Sequence, residues 1–153
     1  MIRAIVLIAA CALSTGATAE TCMVYGVTDG DTLKVRCGEG EQVTIRLGGV
    51  DAPEKKMPFG QRSKEYLSDL CYQVQATVTP KTRDRYGRTV ADVDCNGKDA
   101  GAEMVRAGMA WVYVKYAKGY EALYHLQTDA MVARVGLWHD ANPQPPWEWR
   151  NPN

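Results

Sequence analysis

The stretch from Met23 to Leu47 constrains this chain most. It alternates apolar and polar residues in three runs, broken by short turn sequences. A run from Met23 to Val27 leads into "TDGD". "TLKVRC" then puts Leu33 and Val35 on one face, and "QVTIRL" does the same with Val43, Ile45 and Leu47. Period-two alternation is the signature of a half-buried strand, and Asp-Gly and the Gly38/Gly40 pair are turn formers. The stretch therefore predicts a meander of three strands joined by consecutive hairpins.

The residues after Leu47 fix the architecture around that meander. "DAPEKKMPFG" reads as a loop punctuated by Pro53 and Pro58, and residues 60–70 as a helix with Tyr66, Leu67 and Leu70 inward. "VQATVT" and "RTVADVD" read as two more strands, separated by the charged loop "PKTRDRYG". "GKDAGAEMVRAG" predicts a helix stopped by Gly108, and "MAWVYV" a short extended connection. Residues 120–135 form the clearest amphipathic helix, with Leu123, Leu126, Ala130 and Ala133 at helical spacing. Trp111 and Trp138 read as core residues, and His139 as a surface or capping one. The proline-rich tail, 141–153, is expected to lack regular structure, with Trp147 and Trp149 pinning it to the body. Three strands, a helix, two strands and two helices predict a mainly β chain: a five-stranded OB-fold barrel carrying three α-helices.

The first 19 residues have the pattern of a cleaved signal peptide: Arg3, then the short apolar run "AIVLIAACAL", then "ATA" before Glu20. The run is too short for a membrane span of about 20 residues. "IAAC" at Cys11 is a weak lipoprotein-like signal. With residues 1–19 removed the chain loses one base, Arg3, from 18 basic and 18 acidic residues, leaving 17 against 18 and a net charge of −1. That balance lacks the basic surplus usual in nucleic-acid binders, although a local basic patch is compatible with it. Four cysteines stay behind: Cys22, Cys37, Cys71 and Cys95. In an exported chain they predict two disulfides, with three pairings open. Near-symmetry about the turn at Gly30 favours Cys22–Cys37, and the turn near Arg83 favours Cys71–Cys95. No C-x-x-C pair exists and the two histidines stand apart, which argues against zinc.

The chemistry concentrates where strands end. Asp31 heads the second strand and Asp51 follows the third, so an antiparallel meander brings both to one end of the sheet. Two carboxylates, a backbone carbonyl and water suit Ca2+, with Asp29 and Thr32 placed to support the ligands. Arg46, out of phase with the apolar face, reads on its own as an ordinary exposed arginine, and Glu54 as an ordinary acid. Together these groups match what phosphodiester cleavage needs: a cation and arginine forks for the growing charge, and a carboxylate for the attacking water.

In that order, "DGDT", "IRLGGVDAPE" and "DRYGR", followed by "GAEMVRAGMAWVY" and "GLWHD", resemble the thermonuclease family, the secreted nucleases typified by staphylococcal nuclease. The likeness covers about residues 24–140. It implies a nuclease domain over 20–140 that hydrolyses DNA and RNA to 3′-phosphates with Ca2+. It further implies Asp31, Asp51 and the Ala52 carbonyl as metal ligands, Glu54 as the base, and Arg46 and Arg88 as the phosphate grip. Tyr86 matches a nucleotide-contacting position. Arg85 joins it, and Tyr113 and Tyr116 are candidates for an aromatic platform, with the register around Trp111 ambiguous by one residue. The family reading expects a monomer, exported to the periplasm or beyond, with single-stranded DNA or RNA as substrate and no membrane attachment once the signal is removed. The loop after Glu54 is shorter than in the staphylococcal enzyme, and the four cysteines are additions. The low net charge predicts weak, salt-sensitive binding, with Lys81, Arg83, Arg85 and Arg88 as the remaining basic patch. A second reading is a non-enzymatic OB module that binds single strands or another ligand. A third keeps the site but acts on a different polyanion.

Overall fold

A computed structural model describes residues 18–152. The expected signal segment, residues 1–19, lies outside the described residues up to position 17. The strands are β1 (Glu20–Asp29), β2 (Thr32–Cys37), β3 (Glu41–Leu47), β4 (Val50–Asp51), β5 (Gln75–Arg83), β6 (Thr89–Cys95), β7 (Lys98–Asp99) and β8 (Trp111–Val112). The helices are α1 (Gly60–Cys71), α2 (Ala100–Arg106), α3 (Leu123–Ala133) and α4 (Pro146–Arg150).

The meander forms as expected. β1 pairs antiparallel with β2, and β2 with β3. Two register shifts bend β1, at Val24/Gly26 and Val27/Asp29, so that its first half also pairs with β5. β5 pairs with β6, and β6 returns to lie parallel to β3, closing a five-stranded barrel in the order β3-β2-β1-β5-β6. Closure gives each of these five strands a partner on both sides. The inward positions are the alternating apolar ones: Val24, Leu33, Val35, Ile45, Leu47, Val78, Ala91 and Val93 are all essentially inaccessible. This is the OB-fold barrel expected, with α1 inserted between the third and fourth barrel strands.

The helices seal the barrel and fix its turns. Leu67 of α1 and Met104 and Val105 of α2 are buried in the same core, with Tyr66 and Leu70 half-buried against it. The Asp99 side chain caps α2 by accepting from the Ala102 amide at 2.8 Å. α1 also presses on the turn between β1 and β2. A Cβ at Gly30 would lie 1.8 Å from the Ser63 hydroxyl, so only glycine fits there. Ser63 in turn donates to the Met109 carbonyl at 2.7 Å, tying α1 to the connection before β8.

The structure departs from the sequence reading in four places. β5 runs on through Pro80 to Arg83, so the charged loop is only 84–88. Pro80 is accommodated at a register shift, where no ladder bond needs its missing N–H. "MAWVYV" is not one extended stretch: Trp111–Val112 pairs with Val50–Asp51, and Val114–Tyr116 forms a 3-10 turn. Ala133 is exposed, because α3 ends there and Arg134 turns left-handed (φ 52°) away from the core. The tail is not without regular structure either, since residues 146–150 form α4.

Both expected disulfides are present. Cys22–Cys37 joins directly opposed residues of β1 and β2, and Cys71–Cys95 ties the end of α1 to the end of β6. The second closes a loop of 24 residues that no other covalent link spans. Replacing Cys71 and Cys95 together by alanine is expected to lower the unfolding free energy by about 2–4 kcal/mol, read as a shifted denaturant midpoint. An unchanged midpoint would show that the α1–β6 tie contributes nothing.

A buried acid cluster under two arginines

The site grows from the closure seam. β3 and β6 lie parallel with Ile45 opposite Thr89 and Arg46 opposite Val90. Strand side chains alternate between faces, so Arg46, Arg88 and Val90 share the outer side of that seam while Ile45, Leu47 and Ala91 fill the core. The outer side here is not solvent. Arg46 is 8% exposed, against the expectation of an ordinary exposed arginine. The Tyr113 ring lies beneath its guanidinium (5.7 Å), and Nη1 donates to the Leu47 carbonyl at 3.0 Å.

Around Arg46 the two predicted carboxylates meet. Its Nη2 donates to Asp51 Oδ1 at 3.2 Å and lies 3.6 Å from Asp31 Oδ2. Asp31 is held in the β1–β2 turn: its Oδ2 accepts from the Ala52 amide at 3.0 Å, and its Oδ1 from the Thr32 hydroxyl at 2.9 Å. The Asp29 carboxylate accepts from the Asp31 amide at 3.2 Å, a bond that shapes the β1–β2 turn. Thr32 is more than a strand start, because its hydroxyl also lies 3.4 Å from Arg88 Nη1.

Burial works against negative charge here. Desolvation, and then the neighbouring charge of Asp31, push the Asp51 carboxyl up to about 6, against the hydrogen bonds and charge of Arg150 and the charge of Arg46. Desolvation and Asp31 likewise raise Asp29 to about 6. Acids that are costly to ionise in place, bearing hard oxygen donors, form a floor suited to a divalent cation. Asp31 and Asp51 are the carboxylates that could hold such a cation, with Ala52 beside them in the cleft. Among the described residues the tightest cluster of three candidate ligands lies elsewhere, at Glu20, Cys22 and Cys37. Its two sulfurs are spent in a disulfide.

Arg88 is positioned by a residue the sequence reading passed over. Asp84 accepts from Arg88 Nε at 2.7 Å, and its other oxygen accepts from the amides of Tyr86 and Arg88. Partial burial opposes the Asp84 charge, but these bonds outweigh it and hold the carboxyl below its ordinary range. Asp84 thus orients the guanidinium and leaves Nη1 toward Thr32. Tyr86 stands exposed at the rim with Arg85 donating to its hydroxyl at 2.8 Å. Tyr113 and Tyr116 meet edge to face at 5.0 Å. All these groups except Thr32 line one open cleft of about 1300 Å³, whose rim also carries Lys81, Arg83, Lys115 and Lys118.

Sequence reasoning also missed Arg150. From α4 it reaches into the cleft, with Nη2 2.6 Å from Asp51 Oδ2 and Nη1 2.6 Å from Glu54 Oε1. Trp147 stacks on Tyr113 (5.4 Å, 17°) and meets Trp111, which contacts Trp138. The expected pinning of the tail is thus carried by Trp147, whereas Trp149 is 42% exposed. The only sequence signal for this was the pair of tryptophans in an otherwise polar tail. Trp138 is buried as expected, and Trp111 is half-buried between it and Trp147.

The profile of a family described as Staphylococcal nuclease homologue matches residues 44–140. An uncharacterized endonuclease of Haemophilus influenzae is 42% identical over 86% of this chain and 73% of its own length. A micrococcal nuclease of Shigella flexneri is 38% identical over 83% of this chain and 78% of its own. A staphylococcal-like nuclease of Arabidopsis thaliana is 45% identical over 69% of this chain, which spans only 32% of that protein.

The acid cluster makes a prediction about pH. A carboxyl raised in the fold from 3.8 to about 6 favours the folded state fully below the unfolded value and loses that contribution as pH rises through about 6. Asp51→Asn removes the charge, so in chelator at pH 7.5 it is expected to unfold later than the parent by roughly 1–3 kcal/mol. The gap should close below pH 4. A constant gap across that range, measured by thermal melting, would contradict the burial argument.

Proposed function

The chain belongs to the staphylococcal nuclease family, and from that premise we propose that it is an exported, Ca2+-dependent endonuclease hydrolysing single-stranded DNA and RNA to 3′-phosphate ends. The observation that carries the reading is the convergence, in one cleft, of buried Asp31 and Asp51 with Arg46 and Arg88 across the β3–β6 seam. The cleft is complete within one chain, which supports a monomeric enzyme. Two disulfides support an oxidising compartment, periplasmic or outside the cell.

In this proposal Asp31, Asp51 and the Ala52 carbonyl would hold Ca2+, which when bound would supply positive charge against the phosphate. Arg46 approaches the phosphate from β3, and Arg88 from the loop residue that leads into β6. Each is already oriented, Arg46 by the Leu47 carbonyl and Arg88 by Asp84, so little ordering remains when charge builds on phosphorus. Glu54, on the loop after β4, takes the proton from the attacking water. The new oxygen–phosphorus bond forms as the bond to the 5′ oxygen breaks, and that oxygen leaves after taking up a proton from solvent. Tyr86, Tyr113 and Tyr116 offer ring faces to bases, a contact that every base accepts. Lys81, Arg83, Arg85, Lys115 and Lys118 make the cleft rim locally basic in a chain with 18 basic and 18 acidic residues overall. Binding is then local and salt-sensitive.

The test is cleavage of single-stranded DNA by the oxidised protein at low salt, in Ca2+ and in excess chelator. Cleavage is expected in Ca2+ only. Glu54→Gln and Arg88→Ala are each expected to cost about 10²–10³-fold in kcat, and Arg88→Lys to recover little, since a point charge cannot reproduce the fork. Oligonucleotide binding that persists unchanged in chelator, with no cleavage in any salt, would instead identify a binding module.

A further inference from the structure

The C-terminal segment occupies both functional ends of the cleft. At one end the Arg150 guanidinium takes Asp51 Oδ2 and Glu54 Oε1 at 2.6 Å each, with Nη1 also 3.3 Å from Asp51 Oδ1. These are a carboxylate assigned to the cation and the carboxylate assigned to the water. At the other end the Trp147 ring lies nearly parallel on Tyr113, covering a face that a base would use. One five-residue helix thus presents a cation to the cation's oxygens and a flat aromatic ring to the base platform.

Its attachment is of a kind that opens easily. Among the described residues, every backbone hydrogen bond of residues 141–152 stays within the tail or reaches only Asp140. The segment is held by side chains alone: buried Pro146, half-buried Trp147, and exposed Arg150 through its ion pairs. A five-residue helix has too few internal bonds to persist unaided. Segments with few buried contacts and no backbone ties open at low cost.

We infer that residues 146–150 are a built-in, displaceable occupant of the active cleft, in which Arg150 competes with the divalent cation for Asp51 and Glu54 while Trp147 competes with a base for Tyr113. This rests on the cation-site reading above. Two positive charges cannot share the Asp51 carboxylate without mutual repulsion in a poorly solvated place. Cation binding and tail docking therefore oppose each other, and by linkage each weakens the other by the same factor.

The test is Ca2+ titration by calorimetry, at low salt and without nucleic acid, on the full chain, Arg150→Ala, a chain ending at Pro145, and Asp51→Asn. Amide hydrogen exchange of residues 147–150, with and without Ca2+, is followed in parallel on the full chain. Arg150 lies at the surface of the tail, so its replacement leaves the barrel core intact, and melting curves check this. The expected result is Ca2+ bound at least tenfold more tightly by Arg150→Ala and by the shortened chain, no binding by Asp51→Asn, and faster exchange in 147–150 when Ca2+ is added. Equal affinity in the full chain, Arg150→Ala and the shortened chain would overturn the competition while leaving the cation site standing. Weaker binding by Arg150→Ala would also overturn it, making Arg150 a support of the site. Absence of Ca2+ binding even in the shortened chain would remove the cation-site reading and this inference together.

Discussion

Everything in this molecule depends on the parallel pairing of β3 with β6. The other barrel contacts are antiparallel and mostly between neighbours in sequence. This one joins the last strand of the meander to a strand more than forty residues later, and it turns an open sheet into a barrel. It also sets Arg46 and Arg88 two positions apart on the same face. Without the seam the chain would keep its hairpins and lose the two-armed grip. A folding requirement and a functional geometry are therefore met by one row of backbone hydrogen bonds.

The floor beneath that grip runs against the usual economy of a folded protein. Asp51 is as inaccessible as a core leucine, and Asp31 nearly so. Buried carboxylates are tolerated only when paired. Here the pairing comes in layers: Ala52 and Thr32 by hydrogen bonds, Arg46 by charge, and Arg150 from a distant part of the chain. The site thus holds a surplus of negative charge that the rigid part of the structure only partly neutralises. A surplus of this kind suits a cation, and in this structure the chain supplies one of its own, Arg150.

Most of the fold was legible in the sequence because period-two alternation and Gly/Pro punctuation are local signals. The three-strand meander, the helix inserted after it and the helix stopped at Gly108 are all read from such signals. Cys22 and Cys37 were readable as partners because hairpin register is fixed by the turn between them. What escaped was long-range. Arg46 was correctly placed out of phase with the core, but its burial comes from Tyr113, far along the chain, and no neighbour in sequence announces it. Asp84 looked like one more charge in a basic loop, since its role depends on the tight turn that folds it back on Arg88. Arg150 lies 99 residues from Asp51, in a segment whose composition argued for disorder. Its helix has local support in Pro146 at its start, Glu148 in its first turn and Arg150 in its last, but so short a helix also needs the surface that Trp147 finds. Ala133 shows the opposite error: the periodic stripe continues, but the helix ends before that position reaches anything to pack on.

The row of rings formed by Trp138, Trp111, Trp147, Tyr113 and Tyr116 has an optical consequence. Trp147 sits 5.7 Å from Trp111 and 5.4 Å from Tyr113, close enough for excitation to pass between them and for contact quenching to depend on ring spacing. It is the one member of the row carried by the tail, the others lying between residues 111 and 138. Undocking of residues 146–150 would break the row at that member, leaving the remaining four in place. The intrinsic emission of the unlabelled protein therefore encodes the position of its own C-terminus.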